Sequence, residues 1–168
     1  MSLSTIASVA ITPFLPRDLA RVLEVILPIQ NDEFGVGPGL EAQPDLADIP
    51  AFYQTGSGGF WCAKIGSEVV GTIALKDIGQ TQAALRKMFV KAGFRGAEHG
   101  VALSLLKRLL DHARAQGVKD IFLGTTAKFL AAHRFYEKHG FAEIDVSSLP
   151  ETFPKMTVDS KFYSLKLV

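Results

Sequence analysis

At 168 residues, 48% hydrophobic and 21% charged, the chain has the length for one domain with a sizeable buried core, and its composition excludes a disordered polymer. A lone cysteine, Cys62, excludes an internal disulfide and argues against a cysteine-rich metal site, so a reducing, cytoplasmic home and no metal are expected. Net charge is +1 without a dense basic stripe, which argues against nucleic acid, and no apolar run reaches the ~20 residues that span a bilayer.

Residues 1–15 carry no Lys or Arg, unlike a secretory leader. Residues 8–11 read as a first strand, closed by Pro13 and Pro16. Within 17–27, Leu19, Val22, Leu23 and Ile26 share one helical face, and Pro28 is expected to stop that helix. Residues 31–44 hold three Gly and two Pro and read as a long loop, either disordered or binding. Residues 45–54 suggest a short helix, and Gly56-Ser57-Gly58-Gly59 a connecting turn. Residues 60–65 and 68–76 make two strands around Gly66-Ser67, and 83–90 a third, reached through Gly79.

Next, Gly93, Gly96 and Gly100 break the chain before Ala102, Leu105, Leu106, Leu109 and Ala113 line up on one face of a helix. A glycine-rich loop between a strand and a helix N-terminus suits phosphate, because first-turn N–H groups lack intrahelical partners and the helix dipole favours negative charge there. Gln116-Gly117 ends that helix. Residues 120–125 (DIFLGT) form a nearly continuous apolar strand suited to mid-sheet. Thr125 or Thr126 can cap a helix over 127–139, which Gly140 ends, and 141–146 and 161–167 finish as strands. Hairpins followed by alternating strands and helices predict an α/β fold with a mixed sheet in one domain, 1–168, without internal repeats.

Charge is unevenly spread. From Val22 to Ala63 there is no Lys, Arg or His but six acids (Glu24, Asp32, Glu33, Glu41, Asp45, Asp48), whereas from Lys64 onward 16 basic residues face ten acidic ones. Either this is an ordinary solvated surface, or the basic part holds an anionic cofactor while the acidic segment draws in a cationic amine.

The order Arg95-Gly96, Gly100-Val101-Ala102, Leu105-Leu106 resembles the acyl-CoA pyrophosphate loop, Arg/Gln-x-x-Gly-x-Gly/Ala, of the GNAT superfamily of N-acetyltransferases. Further on, the stretch from Ala132 through Tyr136 to Gly140-Phe141 resembles that family's second signature, a helix ending in Tyr-x-x-x-Gly-Phe. The loop is two residues longer than the family spacing, and Phe129 replaces the Asn usual ahead of the second helix. The resemblance covers nearly the whole chain. It implies a GNAT-like mixed, mostly antiparallel sheet flanked by helices in three α/β/α layers, and acetyl-CoA as co-substrate.

The expected activity is direct transfer of acetyl from acetyl-CoA to a primary amine of a small, cationic acceptor. The alternative is a non-catalytic acyl-CoA-binding or regulatory module. By resemblance, backbone groups of Met88, Phe89 and Val90 meet pantetheine and the thioester. Arg95, Gly96, Gly100, Val101 and Ala102, with Ala97, Glu98 and His99 of the longer loop, surround the pyrophosphate. Tyr136 is the expected general acid, against the plain reading that its ring packs in the core. No general base is assigned: Asp32, Glu33, Glu41, Asp45 or a water chain would serve. His133 shares a helical face with Tyr136 but reads as structural or surface, and Cys62 as core. A homodimer is also expected to be accessible, with the last strand pairing at a sheet edge.

Overall fold

The computed structural model describes residues 8–33, 43–96, 100–126, 130–156 and 159–167. In chain order they form β1 (Ala10–Pro13), α1 (Leu19–Pro28), α2 (Pro44–Ala47), α3 (Ile49–Tyr53), β2 (Gly59–Ile65), β3 (Glu68–Gly79), β4 (Gln82–Val90), α4 (Val101–Ala115), β5 (Asp120–Thr125), α5 (Leu130–Lys138), β6 (Ala142–Ile144) and β7 (Lys161–Lys166). The strands make one sheet in the order β1-β2-β3-β4-β5-β7-β6, antiparallel throughout except between β4 and β5. This is the expected mixed, mostly antiparallel α/β fold with helices on both faces.

Strand alternation divides the sheet's side chains between two cores. Trp61, Ile73, Leu75, Leu85, Ile121 and Tyr163 pack on the α4 and α5 side. On the other side Phe60, Cys62 and Ala74 pack under α1 and α3, against Val22, Ile26, Ile49 and Tyr53. Helix α4 buries Val101, Leu105, Leu106, Leu109 and Ala113, the expected stripe, except that Val101 replaces Ala102 at its start. Each fully buried Leu contributes roughly 1.5–3 kcal/mol. The helix ends as expected: Gly117 turns at φ +80, where a side chain would strain the backbone, and the Val118 N–H reaches back to the Ala113 carbonyl at 2.9 Å.

Several expectations need correction. Pro28 ends the α-helical turns of α1 but not the coil, since the chain continues over Ile29–Glu33 as a wider π turn; a proline inside a helix removes a donor from the regular ladder without forcing the chain to straighten. The single helix expected at 45–54 is two short ones, because Asp48 leaves helical geometry and its Oδ1 accepts the Ala51 N–H at 3.2 Å, capping α3. The last strand is not at an edge: β7 lies between β5 and β6, with both sides paired, so it cannot join two copies edge to edge. Thr125 does not cap α5, since its Oγ1 has no hydrogen-bond partner. The start expected for that helix, at 127–129, lies outside the described residues, as does Phe129.

Candidate active site

Parallel pairing between β4 and β5 covers only Gln82–Ala84 against Asp120–Phe122. Beyond it the strands separate, and the gap coincides with an irregularity on the other side of β4. Thr72 pairs with Phe89 and Ala74 with Arg86, so Ile73 alone faces both Lys87 and Met88. Such a bulge bends its strand. Lys87 adopts φ +54, a left-handed conformation that costs a non-glycine residue about 1–3 kcal/mol. The Thr72 hydroxyl holds the bulge by donating to the Lys87 carbonyl at 2.7 Å.

Two cavities meet the gap and share Phe89 as a wall. The larger, about 410 Å³, lies on the α4 and α5 side and gathers Met88, Phe89, Val90, Arg95, Gly96, Ala102 and Tyr136 from the residues expected at the cofactor. Ile29 and an apolar patch of α5, Leu130, Ala131, Ala132 and Phe135, complete it; none of these was assigned to the cofactor in the sequence. Gly100 caps α4 at φ +64, so among the described residues no side chain caps that helix and its first-turn N–H groups have no side-chain acceptor. Val101 turns its side chain into the core, leaving only its backbone for a ligand. The Arg95 Nε–H donates to the Val90 carbonyl at 2.7 Å, which ties the guanidinium to the end of β4. Ala97, Glu98 and His99 lie outside the described residues. An apolar trough leading to uncapped N–H groups and an arginine suits a long thiol arm ending in phosphates.

The plain reading of Tyr136 holds, and the residue also borders a cavity. Its ring is 6% exposed and packs at 5.5 Å from Phe141 and 6.1 Å from Tyr163. Yet it lines the cavity, and its hydroxyl makes no hydrogen bond with the described residues. Burial pushes that hydroxyl's pKa up, so it stays protonated. His133 is not a surface residue: it is buried, and its Nε2–H donates to the Thr126 carbonyl at 2.8 Å, a structural tie between α5 and the end of β5. Cys62 is buried as expected, with burial first and then Asp18 pushing its thiol up to about 12.

The smaller cavity, about 120 Å³, lies on the opposite side of the gap and is bounded by Arg86, Lys87, Phe89, Thr125, Phe153 and Asp159 among others. Lys87 is buried there in a polar network. Its ammonium donates to Gln43 Oε1 at 2.8 Å and pairs with Asp45 Oδ2 at 3.3 Å, while Asp45 accepts the Tyr53 hydroxyl at 2.6 Å and Gln43 exchanges hydrogen bonds with Gln30. Burial works against the Asp45 carboxylate, but Lys87, Tyr53 and Arg86 outweigh it and hold its pKa below the usual range. For Lys87 burial wins over Asp45, and its pKa is lowered. A carboxylate so engaged is a poor base and offers no free charge to a cation, so Asp45 serves neither role foreseen for it. Of the other candidate bases, Glu41 lies outside the described residues.

Sequence reasoning missed Arg86, Lys87 and Asp159. A signal existed for the first two: adjacent residues of a strand point to opposite faces, so paired cations inside an otherwise apolar strand mark a place where at least one charge is buried. Asp159 had none. Burial raises its pKa despite the Met156 N–H and the nearby cations. Among the described residues no cluster of three or more His, Cys, Asp or Glu could hold a metal ion, and no helix is long and apolar enough to cross a membrane.

The sequence model of the acetyltransferase (GNAT) family matches residues 23–141. Over 115 residues the chain is 36% identical to the N-acetylaspartate synthetase of Danio rerio, covering 67% of this chain and 40% of that protein, so it spans about two fifths of that relative's length. Among solved structures, an acetyltransferase of the GNAT family from Staphylococcus aureus Mu50 aligns with a TM-score of 0.91 at 35% identity, covering 96% of this chain and 100% of that one. The PaiA N-acetyltransferase from Thermoplasma acidophilum, in complex with coenzyme A, shares the fold at a TM-score of 0.72 and 18% identity, over 95% of this chain and 99% of that one.

Proposed function

Because this chain belongs to the GNAT acetyltransferase family, we propose that it moves an acetyl group from acetyl-CoA directly to the amine of a small acceptor, as one domain over residues 1–168. The observation that carries this reading is the gap beyond Ala84 and Phe122, with an apolar cavity on one side, a polar one on the other, and Phe89 common to both. A thioester entering from one side and an amine from the other would meet within the sheet, which supplies the proximity that acyl transfer needs.

Acetyl-CoA supplies the activated acetyl group. In this reading the backbone of Met88, Phe89 and Val90 lines the thiol arm, and Arg95, Gly96, Gly100, Val101 and Ala102, with Ala97, Glu98 and His99, surround the pyrophosphate. As the new carbon–nitrogen bond forms, the carbon–sulfur bond breaks and Tyr136 gives its proton to the departing sulfur. The acceptor nitrogen, an ammonium in water, loses two protons in all. One restores Tyr136 by way of solvent, and the other is released. A phenol kept protonated by burial is suited to this task.

Calorimetric titration with acetyl-CoA, with CoA and ATP as controls, followed by thiol release with a panel of amines, tests the reading. Saturable binding with a Kd of about 1 μM is expected, and Tyr136→Phe should lower turnover by about 10²-fold while leaving acetyl-CoA affinity intact. Failure to bind acetyl-CoA overturns the reading. Binding without turnover on any amine favours the non-catalytic module instead, and unchanged turnover in Tyr136→Phe removes the role assigned to that residue.

A further inference from the structure

The small cavity across the gap from Tyr136 is lined by two cations in different situations. Lys87 is spent on Asp45 and Gln43. Arg86 is half-buried, and its hydrogen bond is to the Met156 sulfur at 3.3 Å, a weak acceptor. Its guanidinium also lies 5.8 Å from the Phe52 ring centre and 6.0 Å from that of Tyr53. Among the described residues no carboxylate pairs with it within 4.0 Å. A guanidinium presents five N–H donors in a planar fork that matches a carboxylate two bonds at a time, and here most of that fork is uncommitted.

One further group on the same cavity is uncommitted. Asp159 spends Oδ2 on the Met156 N–H at 2.9 Å, leaving Oδ1 free. Gly124 makes room for that carboxylate, since a Cβ there would stand 2.6 Å from Oδ2. The cavity thus offers an anion site and a cation site within about 120 Å³, well below the ~300 Å³ at which pockets for drug-sized ligands begin.

We propose that the acceptor is an α-amino acid, its carboxylate received by Arg86 and its ammonium by Asp159. The proposal rests on the acetyltransferase reading and replaces the cationic acceptor expected from the acidic segment by a zwitterionic one. Asp159 then does more than hold the ammonium. A carboxylate whose pKa is raised by burial is better placed than a solvated one to take the proton that the amine must lose before it attacks.

The test pairs binding with turnover. The protein saturated with CoA is titrated calorimetrically with glycine, L-alanine, L-aspartate, L-alaninamide and spermidine, and the same amines are assayed for thiol release from acetyl-CoA. Amino acids should bind and turn over, while alaninamide and spermidine should be at least about 10-fold poorer in both. Arg86→Gln should reduce amino-acid affinity and kcat/KM by about 10- to 100-fold and leave acetyl-CoA affinity unchanged. Alaninamide or spermidine matching the amino acids, or Arg86→Gln leaving the amino acid-to-amide ratio unchanged, overturns the proposal while leaving acetyl transfer standing. Arg86-dependent amino-acid binding without any thiol release upholds the site and overturns the activity instead.

Discussion

Replacing Lys87 with Met separates what its ion pair contributes from what its loss would cost. The ammonium and the Asp45 carboxylate are 3.3 Å apart, on side chains 5% and 6% exposed. At an effective dielectric of about 20, unit charges at that distance attract by about 5 kcal/mol. Desolvation costs several kcal/mol per ion, so the intact pair is close to neutral for stability. Removing one partner is different. In Lys87→Met the Asp45 carboxylate stays buried with only the Tyr53 hydroxyl and the more distant Arg86 to offset it, a loss of about 3–5 kcal/mol. The double variant Lys87→Met/Asp45→Asn has no buried charge at this place, and the amide that replaces the carboxylate can still accept from Tyr53. Guanidinium denaturation of the wild type, both single variants and the double variant would measure the cycle. We expect the double to recover at least about 2 kcal/mol relative to the sum of the singles. A Lys87→Met loss below about 1 kcal/mol, or strict additivity, refutes the reasoning. Should Lys87→Met be too unstable to purify, recovery of a folded protein in the double variant leads to the same conclusion.

Gly58→Ala should destabilise the protein by about 1–3 kcal/mol or more, read from the same denaturation curves. Its Cβ would sit 2.2 Å from the Tyr53 carbonyl and 2.7 Å from the Leu75 carbonyl, backbone atoms that cannot swing aside; an unchanged midpoint would show that the turn after α3 yields more easily than these contacts imply. Acid should also unfold the protein in a defined window. Asp18 and Asp45 both have pKa values below the ordinary 3.8, each with burial opposed and outweighed by its partners. Their contribution is complete above that value and lost as pH falls through the lowered values, because the unfolded state then binds more protons. Asp159, shifted the other way, acts in the opposite sense above 3.8. Stability should therefore fall on acidification below about pH 3.8, less steeply in Asp45→Asn, and an identical slope in that variant would exclude Asp45 as a cause.

What could be read from the sequence was what depends on near neighbours. The stripe Leu105, Leu106, Leu109, Ala113 declares its helix because three- and four-residue spacings lie on one turn, and the Gly66-Ser67 hairpin needs only its own turn. The wall of the larger cavity was legible for the same reason: Met88, Phe89, Val90, Arg95, Gly96 and Ala102 come from one short stretch of chain, and Tyr136 follows within a second local pattern. The smaller cavity was not. Lys87 meets Asp45 across 42 positions of chain, and Arg86 shares a cavity with Asp159 from 73 positions further on. No periodicity records such meetings. Composition counts charges without regard to pairing, and within the acidic segment Asp45 is paired while Asp48 caps a helix.

The position of β7 between β5 and β6 has a consequence for how the chain is made. Strands β5 and β6 are synthesised before β7, yet neither touches the other in the finished sheet. While Lys161–Lys166 is still to come, β5 has one unsatisfied flank and β6, three residues long, has no partner at all. Closing that side of the sheet is therefore a late event in the order of synthesis, and it cannot begin by local hairpin formation between β5 and β6. A chain released just short of Lys161 would present β5 as an open template for pairing with another molecule.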